Sequence, residues 1–316
     1  MGITYAELGC RDLSASLDFY RGMLGLRPMA DPPGPTPPGV AWLDAGPAGI
    51  RLVERPDGDL AGWDGDDLQR GIRHVGFRVG DVPSYAERLA GAGIEFTLGP
   101  FQAPGDVWIA FFRDPDGANL EIIDRHLTYT TVVSPDLAEE ERLAARRRGP
   151  DAGPSFDHVA ITVGDLDRSL AFYRDRLGYR VIGSLDQPAD PRGFRIHYLR
   201  AGAAVLEIFS FAAPTADNPW DPDRPRVGLR RIGLGPGDGP ANHAGDATED
   251  AAGDAATDTG TRAADQAVDQ ATGSGDFAAR LRAAGATPVP GHDDLFTDPD
   301  GVPLCPYVPS PPRRGA

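Results

Sequence analysis

Asp12-Leu13-Ser14-Ala15-Ser16-Leu17-Asp18-Phe19-Tyr20-Arg21, closed by Leu24-Gly25-Leu26, returns half a chain later as Asp165-Leu166-Asp167-Arg168-Ser169-Leu170-Ala171-Phe172-Tyr173-Arg174, closed by Leu177-Gly178-Tyr179. A pattern that recurs at this distance marks a duplicated unit, and duplication governs every later inference about architecture. Each copy has the same local logic. An Asp at the end of a strand can accept from the first free backbone N–H groups of a helix. Leu17 and Tyr20, like Leu170 and Tyr173, then share one apolar stripe. Gly25 and Gly178 stand where the helix must stop.

Strand-like runs follow each copy: Ala41–Leu43 and Ile50–Val53 in the first, Arg195–Leu199 and Ala204–Ile208 in the second. A second pattern comes after. In the first half it is the strand Gly71–Val79, a helix over Tyr85–Leu89, and strands at Trp108–Phe112 and Asn119–Ile123 around the turn Asp114-Pro115-Asp116-Gly117. In the second half it is Gly228–Leu234, a helix over Phe277–Ala284, and the turn Asp298-Pro299-Asp300-Gly301. The chain therefore reads as four βαβββ modules, at 1–57, 70–125, 155–211 and 226–310. This is an α+β class with curved mixed sheets around a cleft. The expected domains are 1–126 (modules one and two) and 155–311 (modules three and four), joined by a linker at 127–154 whose charged part, Asp136–Arg148, is expected to be helical.

Composition narrows the function. The chain has 316 residues and a formal net charge of −16, which disfavours nucleic acid and anionic membranes as partners because both reward Lys and Arg. No apolar run is long enough to span a bilayer, and Met1–Tyr5 enters a strand pattern with no signal-peptide stretch. Two cysteines, Cys10 and Cys305, cannot form a disulfide framework, so a cytoplasmic setting is expected. Residues 235–276 are Ala, Gly, Asp and Thr with almost no large apolar side chain. Such a segment cannot offset its ordering entropy and is expected to be a disordered acidic insertion in module four.

The D-L-x-x-S-L-x-F-Y…L-G pattern and the D-P-D-G turns resemble the vicinal oxygen chelate superfamily of glyoxalase I, bleomycin resistance proteins and extradiol dioxygenases. The resemblance covers nearly everything except the insertion and the linker. It implies a divalent metal held in the cleft, with ligands on the first and last strands of the modules. At those positions module one has Tyr5 and Arg51, module two His74 and Glu121, module three His158 and Glu207, and module four Arg231 and Cys305. Pairing modules two and three gives one complete site, His74, Glu121, His158 and Glu207, and leaves the other without donors. Imidazole and carboxylate suit Zn, Ni, Co, Mn or Fe(II).

The resemblance implies a small-molecule substrate that chelates the metal through vicinal oxygens, with Glu121 or Glu207 as the catalytic base of a lyase, isomerase or epimerase. Two alternatives stand beside it. An Fe(II) ring-cleaving dioxygenase would use a two-His, one-carboxylate set, which Glu207 would crowd. A metal-free resistance protein would sequester a drug with aromatic walls. Candidate substrate contacts are Arg78, Trp108, Phe112, Thr162, His197 and Phe209, with Phe211 a further aromatic. Arg51 and Arg231 either bind an anion in the second site or plug it together with Tyr5. A fused chain of this kind is expected to be a monomer or a homodimer.

Overall fold

The structure, a computed structural model, describes residues 1–236 and 274–306. Module one comprises β1 (Gly2–Cys10), α1 (Leu13–Leu17), β2 (Arg27–Pro28), β3 (Val40–Asp44) and β4 (Gly49–Glu54). Module two comprises β5 (Gly71–Arg78), α2 (Val82–Gly91), β6 (Phe96–Ala103), β7 (Val107–Arg113) and β8 (Asn119–Ile123). The connection holds β9 (Thr131–Val132) and the expected charged helix α3 (Pro135–Arg147). Module three comprises β10 (Ser155–Thr162), α4 (Leu166–Leu170), β11 (Arg180–Asp186), β12 (Arg195–Ala201) and β13 (Ala204–Ser210). Module four comprises β14 (Gly228–Gly235), α5 (Ser274–Ala284), β15 (Thr287–Pro288), β16 (Phe296–Thr297) and β17 (Pro303–Pro306). The expected insertion at 235–276 falls outside the described residues for 237–273; Gly235 still belongs to β14, and Ser274 opens α5.

The modules pair across the two halves of the chain. One sheet runs β15-β16-β17-β14-β1-β4-β3-β2, so it joins modules four and one. The other runs β6-β7-β8-β5-β10-β13-β12-β11-β9 and joins modules two and three. At each seam the first strands meet antiparallel, β1 on β14 and β5 on β10, and each is flanked by the parallel last strand of its own module.

The repeated motif builds the local structure as its chemistry requires. The Asp12 carboxylate accepts from the N–H groups of Ser14 and Ala15, and Asp165 accepts from that of Arg168. Each helix continues as a wider π-helical turn, Asp18–Met23 and Ala171–Arg176, before Gly25 and Gly178 adopt φ of 85° and 79°, the left-handed conformation that ends it. Tyr20 and Tyr173 are buried and point into the next module of their own half. Tyr20 donates to Asp114 at 2.9 Å and Tyr173 to Asp298 at 2.8 Å. The first Asp of each D-P-D-G turn thus knits two modules while also accepting from two turn N–H groups. Burial pushes Asp298 up to about 7 and Asp114 up to about 6, against the N–H and hydroxyl donors that favour the charge. Helices and sheet backs share one core that includes Leu8, Tyr20, Phe77, Phe156, Tyr173 and Phe296.

Tyr173→Phe removes one donor from a buried carboxyl and changes little else. It is expected to cost about 1–3 kcal/mol, read as a lower denaturant midpoint at unchanged slope.

Candidate metal centre

The seam between β5 and β10 brings together the residues that the resemblance singled out. His74 and His158 come from the two first strands, and Glu121 and Glu207 from the parallel strands beside them. All four are buried, and one donor atom from each lies within 4.8 Å of every other. His74 Nε2 is 3.1 Å from His158 Nε2, 3.0 Å from Glu121 Oε2 and 3.4 Å from Glu207 Oε2. His158 Nε2 is 3.3 Å from Glu121 Oε2 and 3.5 Å from Glu207 Oε2. Donors about 2.1 Å from a common centre lie about 3.0 Å apart at 90° and about 3.4 Å apart at the tetrahedral angle. The spacing therefore fits one small divalent ion. Glu207 Oε2 is buried with no hydrogen-bond partner although two imidazoles face it, which also fits a donor aimed at a shared ion.

Electrostatics act on Glu121 and His158 in opposite directions. Burial works against charge at Glu121, but hydrogen bonds from His158 and His74 outweigh it and hold the carboxyl down at about 2. Burial disfavours His158 as a cation, and Glu207, Asp157 and Glu121 outweigh that and raise it well above the ordinary value.

Asp157 is a residue the sequence reading passed over. It occupies a bulge, because Phe156 pairs with Phe77 and His158 with Gly76. A bulge lets adjacent side chains act on one side, and Asp157 accepts from His158 Nδ1 at 2.9 Å. Arg78 pairs with the same carboxylate, Nη2 to Oδ2 at 3.0 Å, and is fixed to the carbonyls of Asp124 and Arg125. A carboxylate behind a ligating imidazole fixes its tautomer and raises its basicity. Asp157→Asn is therefore expected to weaken Co(II) affinity by about 10–100-fold, measured by titration of stripped protein. Unchanged affinity would show that this pair only packs.

Close approach at the seam depends on Gly76. A Cβ there would stand 2.6 Å from His158 Nδ1 and closer still to Cε1 and Nε2.

Of the four donor residues, Glu121 and Glu207 line a cavity of about 720 Å³. Of the expected substrate contacts, Phe209 lines it and stacks on Phe194 at 5.2 Å. The others lie elsewhere. Arg78 is spent on Asp157. Thr162 sits behind the wall, donating to the Asp67 carbonyl and accepting from Arg73. Trp108 and Phe112 face the core, and it is Ile109 and Phe111 that face the cavity. His197 points away, while Ile196 and Tyr198 line the wall. Phe211 lies outside this cavity, stacked on Phe194. Polar groups of the wall that were not foreseen include Asp67, Arg73, Arg113 and Asp190. Tyr198, also unforeseen, lines the same wall as Glu207, and burial and the Glu207 charge raise its hydroxyl well above the ordinary value.

The chain belongs to the Glyoxalase/Bleomycin resistance protein/Dioxygenase superfamily, whose model matches residues 2–122 and 155–305. Among curated relatives it is 28% identical over 180 residues to a lactoylglutathione lyase of Arabidopsis thaliana, covering 56% of this chain and 54% of that protein. It is 31% identical over 130 residues to a lactoylglutathione lyase of Oryza sativa subsp. japonica, covering 40% of this chain and 36% of that one. The chain thus matches about half the length of the first of these relatives, and less of the second. The solved glyoxalase I of Zea mays superposes with a TM-score of 0.57 at 21% identity, covering 97% of this chain and 92% of its own. At that identity the likeness is one of fold. Among the described residues no helix is long and apolar enough to cross a membrane.

Proposed function

We propose that this chain is a metal-dependent lyase or isomerase acting on a small molecule that chelates the metal through vicinal oxygens. The observation that carries the reading is the cluster itself: four buried donors from two modules within 4.8 Å, two of which, Glu121 and Glu207, line a cavity of about 720 Å³. His74, Glu121, His158 and Glu207 would hold Zn, Ni, Co, Mn or Fe(II). Such an ion supplies Lewis acidity toward two adjacent substrate oxygens.

The protein's own groups do the rest. Glu121 is fixed between two imidazoles and serves as an anchor. Glu207 has one oxygen without a hydrogen bond and borders the cavity, so it is the carboxylate placed to take a proton from substrate carbon and return it. The Tyr198 hydroxyl lines the cavity with Glu207 and stays neutral beside it, because burial and the Glu207 charge raise it well above its ordinary value. Phe111, Phe209 and Ile196 exclude water from the reacting face.

A dioxygenase centre keeps positions open for oxygen around two His and one carboxylate; here Glu207 Oε2 stands 3.4 and 3.5 Å from both Nε2 atoms. The relatives' name supplies the first test compound. Metal-loaded protein is expected to turn over lactoylglutathione, and Glu207→Gln to reduce kcat by about 10²–10⁴-fold with metal retained. Iron-dependent oxygen uptake with a catechol, without lactoylglutathione turnover, would overturn the reading.

A further inference from the structure

The second sheet repeats the first position by position, with the charge inverted. His158 stands across the seam from Gly76, and Tyr5 across from Gly233. His74 faces Ala160, and Arg231 faces Glu7. Glu207 is the parallel partner of Ala160, and Arg51 that of Glu7. Glu121 is the parallel partner of Gly76, and Cys305 that of Gly233. Even the bulge is kept: Arg73 is the extra residue of β5, and Arg230 that of β14. Every donor of the metal centre is thus replaced, two of them by arginine. A third arginine sits beside them, and Glu7 occupies the place of Ala160.

Glu7 alone cannot satisfy the three guanidiniums. It is 1% exposed and pairs through Oε2 with Arg51. Its Oε1 lies 3.7 Å from Arg230 Nε and 3.6 Å from Arg231 Nε, too far for good hydrogen bonds. Each guanidinium carries five N–H donors and accepts nothing. Arg51 Nε, Arg230 Nε and Nη1, and Arg231 Nε are buried with no hydrogen-bond partner. The Arg230 side chain is 6% exposed. Burial pulls it down to about 10, partly relieved by Glu7 and reinforced by Arg231, Arg55 and Arg51. Uncompensated buried cations are costly, and an anion removes the cost. The Arg51 and Arg231 side chains keep 21% and 17% exposure, so a solute can reach them. Trp42 walls the place, meeting Tyr5 edge-on at 4.9 Å and lying under Arg51 at 5.4 Å.

We propose that the seam of modules one and four is a binding site for a small anion, taking one carboxylate or phosphate group on Arg51, Arg230 and Arg231. A planar carboxylate or a phosphate suits the guanidinium fork bidentately. The site is separate in charge and in residues from the metal centre, and it stands whether or not the function proposed above is right.

The test is isothermal titration of the full chain, as purified with its metal, in two arms: inorganic phosphate and succinate. Saturable binding near one equivalent is expected in at least one arm, and the tighter arm identifies the anion class. Arg231→Gln and Arg51→Gln are each expected to weaken it at least about 10-fold, the scale of one charge-assisted bond. Glu7→Gln removes the competing carboxylate at constant size and should tighten binding, an effect of opposite sign that a folding defect cannot mimic. His74→Ala should leave it unchanged. Absence of saturable binding in both arms would overturn the proposal. So would wild-type binding by both folded arginine variants, or loss of binding in His74→Ala, which would place the anion at the metal centre.

Discussion

Protein carrying His74→Ala is expected to purify with almost no divalent metal, where wild type carries close to one equivalent. His74 is the hub of the cluster. Its Nε2 lies 3.0 Å from Glu121, 3.1 Å from His158 and 3.4 Å from Glu207. Loss of an outer partner of a ligand weakens metal sites by about 10–100-fold, so loss of the ligand itself should cost at least ~100-fold. What remains is one imidazole and two carboxylates, a weaker three-donor set. Two consequences follow. Activity falls with the metal, by three orders of magnitude or more if the ion supplies the electrophile, a scale of about 4 kcal/mol. The melting temperature also stops responding to added metal, because an ion that binds only the folded state stabilises it by about 4 kcal/mol at a thousandfold excess over Kd. Metal analysis by mass spectrometry and thermal scans with and without Zn or Co measure both. His197→Ala is the matched control: that ring points away from the cavity and should change neither reading. Full metal in His74→Ala would remove this cluster from consideration.

The parts of this fold that could be read from the sequence are those where one residue type can do one local job. Asp12 and Asp165 cap helices, Gly25 and Gly178 end them, and the two D-P-D-G turns close strands; each signal is short-range and occurs twice. The cluster was legible because two modules hold imidazole and carboxylate at matching places while the other two hold Tyr5, Arg51, Arg231 and Cys305, and the sheet order joins modules in that combination. The cavity wall was legible only in part. Strand β7 is apolar on both faces, since one packs on the core and the other lines the cavity. No alternation sets its phase, and a slip of one residue exchanges Phe112 for Phe111. His197 fails the same way between Ile196 and Tyr198. Asp157 and Arg73 were beyond reach for another reason. They sit in bulges, which are defined by the partner strand, so nothing in either residue's neighbours along the chain declares them.

Gly76→Ala should be nearly as damaging to metal binding as loss of a ligand, although it alters no donor. The added Cβ would overlap the His158 ring, with Nδ1 at 2.6 Å and Cε1 and Nε2 nearer. Contacts that short are relieved only when something gives. The ring is poorly placed to give, because its Nδ1 is held by Asp157 at 2.9 Å and its face meets His74 edge-on at 5.1 Å. The imidazole must leave the cluster or the two central strands must part. Either way Co(II) affinity is expected to fall by about 100-fold or more, and overpacking is expected to cost about 1–3 kcal/mol of stability. The second sheet provides the control that separates these effects. Gly233 faces Tyr5 as Gly76 faces His158, and a Cβ there overlaps the phenol ring in the same way. Gly233→Ala should therefore lose a similar amount of stability by denaturant titration while keeping metal and turnover. Wild-type Co(II) affinity in Gly76→Ala would mean that His158 is not a ligand. Equal loss of metal in both variants would mean that the site responds to general loosening at the seams rather than to the position of one imidazole.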